Sequence, residues 1–350
     1  MQRTKKSNDS VSDQVKTHAK KPTESENKQY EGDPSKIVST GSTLLDLAVS
    51  GGRVRGGGIP VSILVEIFGP SGTGKTTLLC ELAGTVQRKG GEVLFHDPEG
   101  RLNKEFAEIF DFNCERATLG MPDTVLQVFQ PIREWQPESG GPNAVFADSL
   151  AALSTDAELD DNDAYGMRRA KEFSEECRKT CRILSQNNWL MVCSNQVRVN
   201  VGAGAFQEKY KSPGGEAIPF YSSLRLKTRN NGKIEQKRTV KGKEVKRVIG
   251  VSTVVQVYKS SVWKPYREAE VPIIFDYGID DVRANLQFVK QYTDKTIYGV
   301  QDQGLDNSLE KAIAKVEDQD LERELQEETI QVWHELESKF ETERKSKRRD

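Results

Sequence analysis

The segment Gly69-Pro70-Ser71-Gly72-Thr73-Gly74-Lys75-Thr76 has the spacing G-x-x-x-x-G-K-[ST], between an apolar run and a helical one. Glycines in such a turn let backbone N–H groups converge on phosphate oxygens, and the following helix adds partial positive charge. Lys75 is placed to reach β- and γ-phosphates and the Thr76 hydroxyl to ligate Mg²⁺, with Thr77 next in the same cradle. Phosphoryl transfer also needs an acidic residue on the metal side and a group that prepares water. NAVFADS supplies Asp148 for the first, and EVLFHDPEG supplies Glu99 for the second. WLMVCSNQ ends on Gln196, a position from which a γ-phosphate can be sensed. A strand-ending Asp148 without metal and a capping Asp97 are the bland alternatives. Four candidates at the ends of four apolar runs favour a site.

Those four runs are ILVEIF (63–68), EVLFHD (92–97), NAVFAD (143–148) and WLMVCS (189–194). They are short, rich in β-formers and barely alternating, as strands buried on both faces of a mainly parallel sheet require. Helical stretches at 76–89, 103–111, 123–135 and 166–187 separate them. Strand–helix repetition predicts an α/β fold with a mainly parallel central sheet flanked by helices and right-handed crossovers. Ligands of such sheets sit at the carboxyl ends of the strands, where all four candidates fall. SSLRLKT (222–228) and STVVQVYKS (252–260) flank a Gly- and Lys-containing segment that reads as a hairpin. In 308–343, Leu321, Leu325, Val332, Leu336 and Phe340 recur at helical spacing among charges, which predicts a terminal amphipathic helix.

Composition narrows the class. No 18-residue apolar run occurs in the 350 residues, which excludes a transmembrane helix, and the polar N-terminus has no secretory h-region. Five cysteines without CxxC spacing and three histidines not spaced for ligation fit neither a disulfide framework nor a zinc site, and point to a reduced cytosolic setting. Net charge is −2, so nucleic-acid binding must come from local patches. Residues 1–36 are polar and read as disordered.

STGSTLLDLAVSGG, VEIFGPSGTGKTT, FHDPEGRLN, FADSLAAL, SNQVRVNVG and SPGGEAIPFYSSLRL occur in that order. Together they resemble the RecA recombinases of bacteria and their UvsX-type phage relatives, over roughly 37–285. The resemblance implies a RecA-type P-loop NTPase core at 37–285, followed by a charged, helical region at 286–350. By that resemblance Glu99 is similar to the family's catalytic glutamate and Gln196 to the glutamine linking the γ-phosphate to a DNA-binding loop. Phe106 stands where the family places an aromatic ring against adenine. Asn103 stands where an Asp contacts the base edge, an acid-to-amide change. Lys259 matches a lysine that reaches the neighbouring subunit's nucleotide. The family often has a second lysine two positions on, where this chain has Ser261, and Lys264 is the substitute cation at hand.

Two segments correspond to the family's DNA loops. The first, Asp156 to Tyr165, precedes a helix on which Lys171, Ser174 and Arg178 share a side at i, i+3 and i+7. Phosphate contact and a solvated basic face are the two readings of that side, and the resemblance places Ser174 and Arg178 at DNA-contacting positions. The second loop, Val197 to Pro213 and on to the glycine pair, combines Arg198, Lys209 and Lys211 with Val199, Val201 and Phe206, and with Gly214 and Gly215. Apolar groups there can wedge between or stack on bases, and glycine N–H groups can approach phosphates. Its position after Gln196 suggests that ATP orders it and hydrolysis releases it. Residues 225–247 carry ten Lys or Arg against two Glu; they read as a duplex-DNA contact or as an exposed hairpin with solvated charge.

The sequence therefore predicts a DNA-dependent ATPase using ATP and Mg²⁺. It would bind single-stranded DNA as a helical filament, pair it with homologous double-stranded DNA and promote strand exchange. Expected partners are both DNA forms, further copies of the chain, and single-strand-binding and loader proteins, with no membrane and a cytoplasmic location (host cytoplasm if phage-encoded). The family's N-terminal docking helix finds no apolar periodicity in 1–36, so copies would join through another surface. The alternatives are a RecA-fold accessory ATPase and a ring-shaped DNA motor without strand exchange. A dehydrogenase fails, because the glycine loop ends in GKT.

Overall fold

The structure is a computed structural model that describes residues 36–154, 165–196, 198–199, 210–211 and 216–344. For 165–169, 198–199 and 210–211 the description is of backbone alone. The polar segment 1–36 lies outside the described residues apart from Lys36. Among the described residues, those up to Asp281 form one compact unit and those from Val282 another.

The first unit is built on a nine-stranded sheet. Its centre is β1 (Leu64–Gly69), which is buried along its whole length. On one side of it follow β4 (Leu190–Gln196), β3 (Ala144–Ala147), β2 (Val93–His96) and an edge strand at Ala117–Gly120. All of these pairings are parallel. On the other side β1 pairs in parallel with the start of a long strand, Leu224–Val240. Antiparallel strands Lys243–Ser260, Glu268–Ile274 and Gly278–Ile279 then complete the sheet. The α/β fold with a mainly parallel centre is the one the apolar runs predict, because strands covered on both faces need no polar alternation.

Register sets the functional geometry. Gly69 lies level with Gln196, Ala147 with Cys193, and His96 with Ala147. The residues that leave β1, β2, β3 and β4 at their carboxyl ends therefore emerge side by side. Helix α1 (Lys75–Arg88) follows β1, and α2 (Lys104–Glu108) follows β2. Further along, α3 (Val125–Glu134) and α4 (Tyr165–Asn187) pack together, with Phe129 edge-on to Phe173. Phe173, Cys177, Thr180 and Leu184 are buried at helical spacing on α4, which leaves the side bearing Lys171 and Arg178 to solvent.

The hairpin is much longer than the two apolar runs indicate. Its strands cover 17 and 18 residues, so the basic segment 225–247 is the ribbon itself. Lys241 and Gly242, both at positive φ, make the two-residue turn between Val240 and Lys243, as a twisted ribbon favours.

In the second unit, the amphipathic stretch at 308–343 is two helices, Leu309–Asp318 and Glu322–Ser338. Asp320, at φ 51°, breaks the ladder between them. A small hairpin, Tyr298–Val300 with Gln303–Asp306, precedes them. Leu286, Val289, Val300, Ala312, Val316 and Leu325 supply the unit's own core, and Arg283 grips Glu310 with two bonds. No helix among the described residues is long and apolar enough to cross a membrane.

Candidate nucleotide site and its surroundings

The turn from β1 into α1 is shaped by its glycines. Gly74 is at φ +73° and its nearest neighbour is Ile273, whose Cδ1 would lie 2.3 Å from an added Cβ. Only glycine satisfies both conditions. As the N-cap of α1, Gly74 offers no side-chain hydrogen bond, so the first N–H groups of the helix remain available to an anion. Thr73 braces the turn from beneath, bonded to the Pro70 carbonyl at 2.8 Å and to the Thr228 hydroxyl at 2.7 Å.

Lys75 is buried, and its ammonium donates to the carbonyl oxygens of Gly69 and Pro70 at 3.1 and 2.7 Å. Burial pulls its pKa below the usual lysine value, against the opposing pull of Asp148 and Glu99. Thr76 Oγ1 donates to Asp148 Oδ2 at 2.6 Å, and Ser194 Oγ donates to Asp148 Oδ1. Glu99 sits in a web of three donors. Ser149 Oγ and Gln196 Nε2 reach its Oε1 at 2.8 and 3.3 Å, and the Arg101 guanidinium reaches its Oε2 at 2.7 Å.

Lys75, Thr76, Glu99, Arg101, Asp148, Ser149, Ser194 and Gln196 line one cavity of about 480 Å³. Ser71, Gly72, Gly74, Lys75, Thr76 and Thr77 form its floor, and Glu99, Asp148 and Gln196 one wall. Phe106 lines it as well, half-buried and edge-on to Phe110. A further wall, Val251 with Ile273 to Asp276 and Gly278, comes from the antiparallel edge of the sheet. Nothing in the sequence motifs marks that wall, since IIFDYG reads as an ordinary strand end. Arg101, Ile109, Phe110, Ser149 and Ser194 are the other lining residues missed. The two serines neighbour Asp148 and Asn195 in FADS and CSNQ, the only signal that could have found them.

Two candidate residues do not line this cavity. Asn103 does not line the cavity: its side-chain oxygen accepts from Glu105 N at 2.8 Å and caps α2. Lys259 donates to the carbonyls of Pro219 and Phe220, both at 2.9 Å, and closes the end of the short helix Ala217–Tyr221. Burial, then the Arg225 charge, lowers its pKa.

Behind the cavity lies a buried polar chain. Glu66 on β1, fully buried, accepts from Asn195 Nδ2 at 3.0 Å and pairs with Arg225 Nε at 2.6 Å. The Arg225 guanidinium also lies 4.4 Å from the centre of the Phe68 ring.

Ser174 is half-buried and Arg178 exposed on α4. Arg198–Val199 pairs antiparallel with Tyr210–Lys211, so the second loop closes on itself just after Gln196. Val201, Phe206, Lys209, Gly214 and Gly215 lie outside the described residues, as does most of the first loop.

The family described as RecA N-terminal domain matches residues 21–280. The protein RecA of Borrelia turicatae (strain 91E135) is 36% identical over 284 residues, 79% of this chain and 74% of the relative. That of Borrelia hermsii (strain HS1 / DAH) is 34% identical over 283 residues, 79% of this chain and 76% of its own. In Thioalkalivibrio sulfidiphilus (strain HL-EbGR7), the protein RecA is 35% identical over 244 residues, covering 69% and 67% of the two chains.

Proposed function

The chain belongs to the RecA family, and we propose from that premise how it acts as a DNA recombinase and DNA-dependent ATPase. It binds single-stranded DNA as a filament of its own copies, pairs it with homologous duplex and exchanges strands, while ATP hydrolysis turns the filament over. The observation that carries this reading is the bond between Glu99 and Gln196 in the cavity that also holds Lys75, Thr76 and Asp148. Gln196 is the last residue of β4, directly before the second loop, so one side chain touches both the hydrolytic carboxylate and the route to DNA.

The residues present fit ATP and Mg²⁺. Thr76 and Asp148 offer hard oxygen donors on one side of the cradle, the type that Mg²⁺ takes. Bound Mg·ATP supplies the reacting phosphoryl group and part of the charge neutralisation. Lys75 exchanges its carbonyl partners for phosphate oxygens, and the open N–H groups of α1 hold the same phosphates. Glu99 orients the attacking water and accepts its proton. Gln196 reports γ-phosphate to the second loop. Lys259 of an adjacent copy adds positive charge from outside, with Phe106 against the base and Asn103 at its edge. On DNA, Ser174, Arg178, Arg198, Lys209 and Lys211 take phosphates with help from Gly214 and Gly215, and Val199, Val201 and Phe206 take bases. A cytoplasmic location and single-strand-binding or loader partners complete the proposal.

The test is ATP turnover with and without single-stranded DNA, with electron microscopy of the same mixtures. Strong stimulation together with extended helical filaments is expected, and Lys75→Ala should abolish turnover. Unstimulated turnover with closed rings or monomers would replace this reading with a motor or an accessory ATPase.

A further inference from the structure

Arg101 has no place in the phosphate-loop chemistry described so far, yet it lines the same cavity as Lys75 and Glu99. Its position follows from the turn after β2. Gly100 N donates to the Asp97 carbonyl at 3.1 Å, and Leu102 N donates to Asp97 Oδ2 at 2.7 Å. Gly100, at φ +62°, bends the chain in the left-handed sense, which turns the following residue back over Glu99. The result is a 2.7 Å ion pair between the Arg101 guanidinium and Glu99 Oε2. Its two ends differ sharply in exposure: the Arg101 side chain is 74% exposed and that of Glu99 15%. The carboxylate is fixed at the cavity wall, while the guanidinium is a long arm free on its outer side.

The two oxygens of Glu99 are engaged from different directions. Gln196 and Ser149 hold Oε1, and Arg101 holds Oε2. A carboxylate whose negative charge is stabilised by a guanidinium and two further donors is a weaker base toward water. Gln196 directly precedes the second loop, so DNA acts on the Oε1 side. Arg101 faces the phosphate cradle, so a triphosphate acts on the Oε2 side, and a guanidinium prefers a phosphate to a single carboxylate oxygen because its fork matches phosphate geometry.

We propose that Arg101 is a nucleotide-responsive positioning residue: it clamps Glu99 through Oε2, and it moves to the γ-phosphate of ATP in the cavity once DNA has drawn Gln196 away from the carboxylate. Glu99 then releases Arg101 and Gln196 only when nucleotide and DNA are both present, with Ser149 left to orient it through Oε1. On the phosphate, the guanidinium adds a positive charge from within the same subunit, in a chain that has Ser261 where the family often has a second lysine. This inference rests on the assignment of Glu99 as the group that activates water.

The experiment uses the full chain and measures phosphate release from Mg·ATP, with and without single-stranded DNA, for the wild type, Glu99→Gln, Arg101→Gln and Arg101→Lys. Arg101 is exposed, so its substitution leaves folding intact. In Arg101→Gln the DNA-free rate should rise, by up to about 5-fold, the factor equivalent to an exposed ion pair of ~1 kcal/mol. The DNA-stimulated kcat should fall by about 10-fold or more, because a donor to the transferring phosphoryl group is lost. The stimulation ratio therefore collapses, while Arg101→Lys, which keeps the charge but loses the fork, should retain a ratio between those of Arg101→Gln and wild type. Rates that fall together in Arg101→Gln with an unchanged ratio, or do not change at all, would overturn the proposal. So would an Arg101→Lys variant as defective as Arg101→Gln. Glu99→Gln reads out the underlying assignment separately: full stimulated turnover there removes Glu99 as the activating group, whatever the arginine variants do.

Discussion

Thr76 Oγ1 donates to Asp148 Oδ2 at 2.6 Å, joining the first turn of α1 to the end of β3 across a sheet in which β4 lies between β1 and β3. The second oxygen of Asp148 is held by Ser194, from that intervening strand. The carboxylate is thus oriented by two hydroxyls from two elements, Thr76 of α1 and Ser194 of β4.

Asp148→Asn should keep this frame, because the amide oxygen still accepts from Thr76, but it removes the negative charge that draws a divalent cation. Mg²⁺ half-saturation should rise and Mg·ATP turnover fall by about 100-fold. Metal-free nucleotide binding should stay within about 3-fold of wild type. A magnesium titration of turnover beside a metal-free binding titration checks both; unaltered magnesium dependence would take Asp148 out of the metal site.

Glu66 and Arg225 make a second prediction. Glu66→Gln keeps the shape and the bond from Asn195 but strands the Arg225 charge in the interior, at a cost of about 3–5 kcal/mol. Pairing it with Arg225→Met, which retains contact with Phe68, should recover most of that loss. Urea unfolding of the single and double variants decides it, and a double variant no more stable than Glu66→Gln would show that burial of the charge is not the cause.

How much of this was legible in the sequence follows from the range of the interactions. The cradle at Gly69–Thr76 and the strand-end residues Glu99, Asp148 and Gln196 are fixed by local pattern, since each lies next to an apolar run whose burial sets its register. The far wall of the cavity was not legible. Ile273 and Phe275 reach it only because the long ribbon brings the strand Glu268–Ile274 into the sheet, a pairing that no local spacing encodes. The ribbon's length was hidden for a related reason: an exposed two-stranded arm needs no apolar alternation, so 225–247 reads as a hairpin without showing that both strands run its full length. Asn103 shows the opposite limit. The resemblance gives it the base edge, while the structure shows its side-chain oxygen accepting from Glu105 N as the cap of α2, a local bond that the motif does not announce.

His96, at the end of β2, is buried, and among the described residues neither ring nitrogen has a hydrogen-bond partner. Burial pulls its pKa from 6.5 down to about 4. The unfolded chain therefore binds this proton more readily than the folded one between those values, and stability falls as pH drops through that window. Asp46 works the other way: burial raises its pKa to about 7, so its contribution grows as pH falls. His96→Leu removes the first effect and leaves the second. Relative to wild type, the variant should gain about 2–3 kcal/mol between pH 7.5 and pH 4.5. Denaturant unfolding at the two pH values measures the difference, and a constant offset between the proteins would rule out His96 as the source of acid sensitivity.

Phe106 and Phe275 stand on different elements of the cavity wall, one on α2 and one just past the strand Glu268–Ile274. Phe106 is braced edge-on by Phe110 at 5.1 Å between ring centres, whereas Phe275 is 52% exposed and has no ring partner among the described residues. A base entering this cavity would meet one braced ring and one exposed, adaptable ring. Removing the fixed ring should cost more, because a braced ring loses little freedom on stacking while a loose one must be ordered first. Phe106→Ala should therefore raise the Kd for adenine nucleotides by about 5- to 10-fold and Phe275→Ala by about 2- to 3-fold, in line with ~0.5–1.5 kcal/mol per aromatic contact. Inorganic triphosphate, which has no base, should bind all three proteins alike. Equilibrium titrations with ATP and with triphosphate separate base recognition from phosphate recognition, and equal losses for both ligands would place these rings outside the base site.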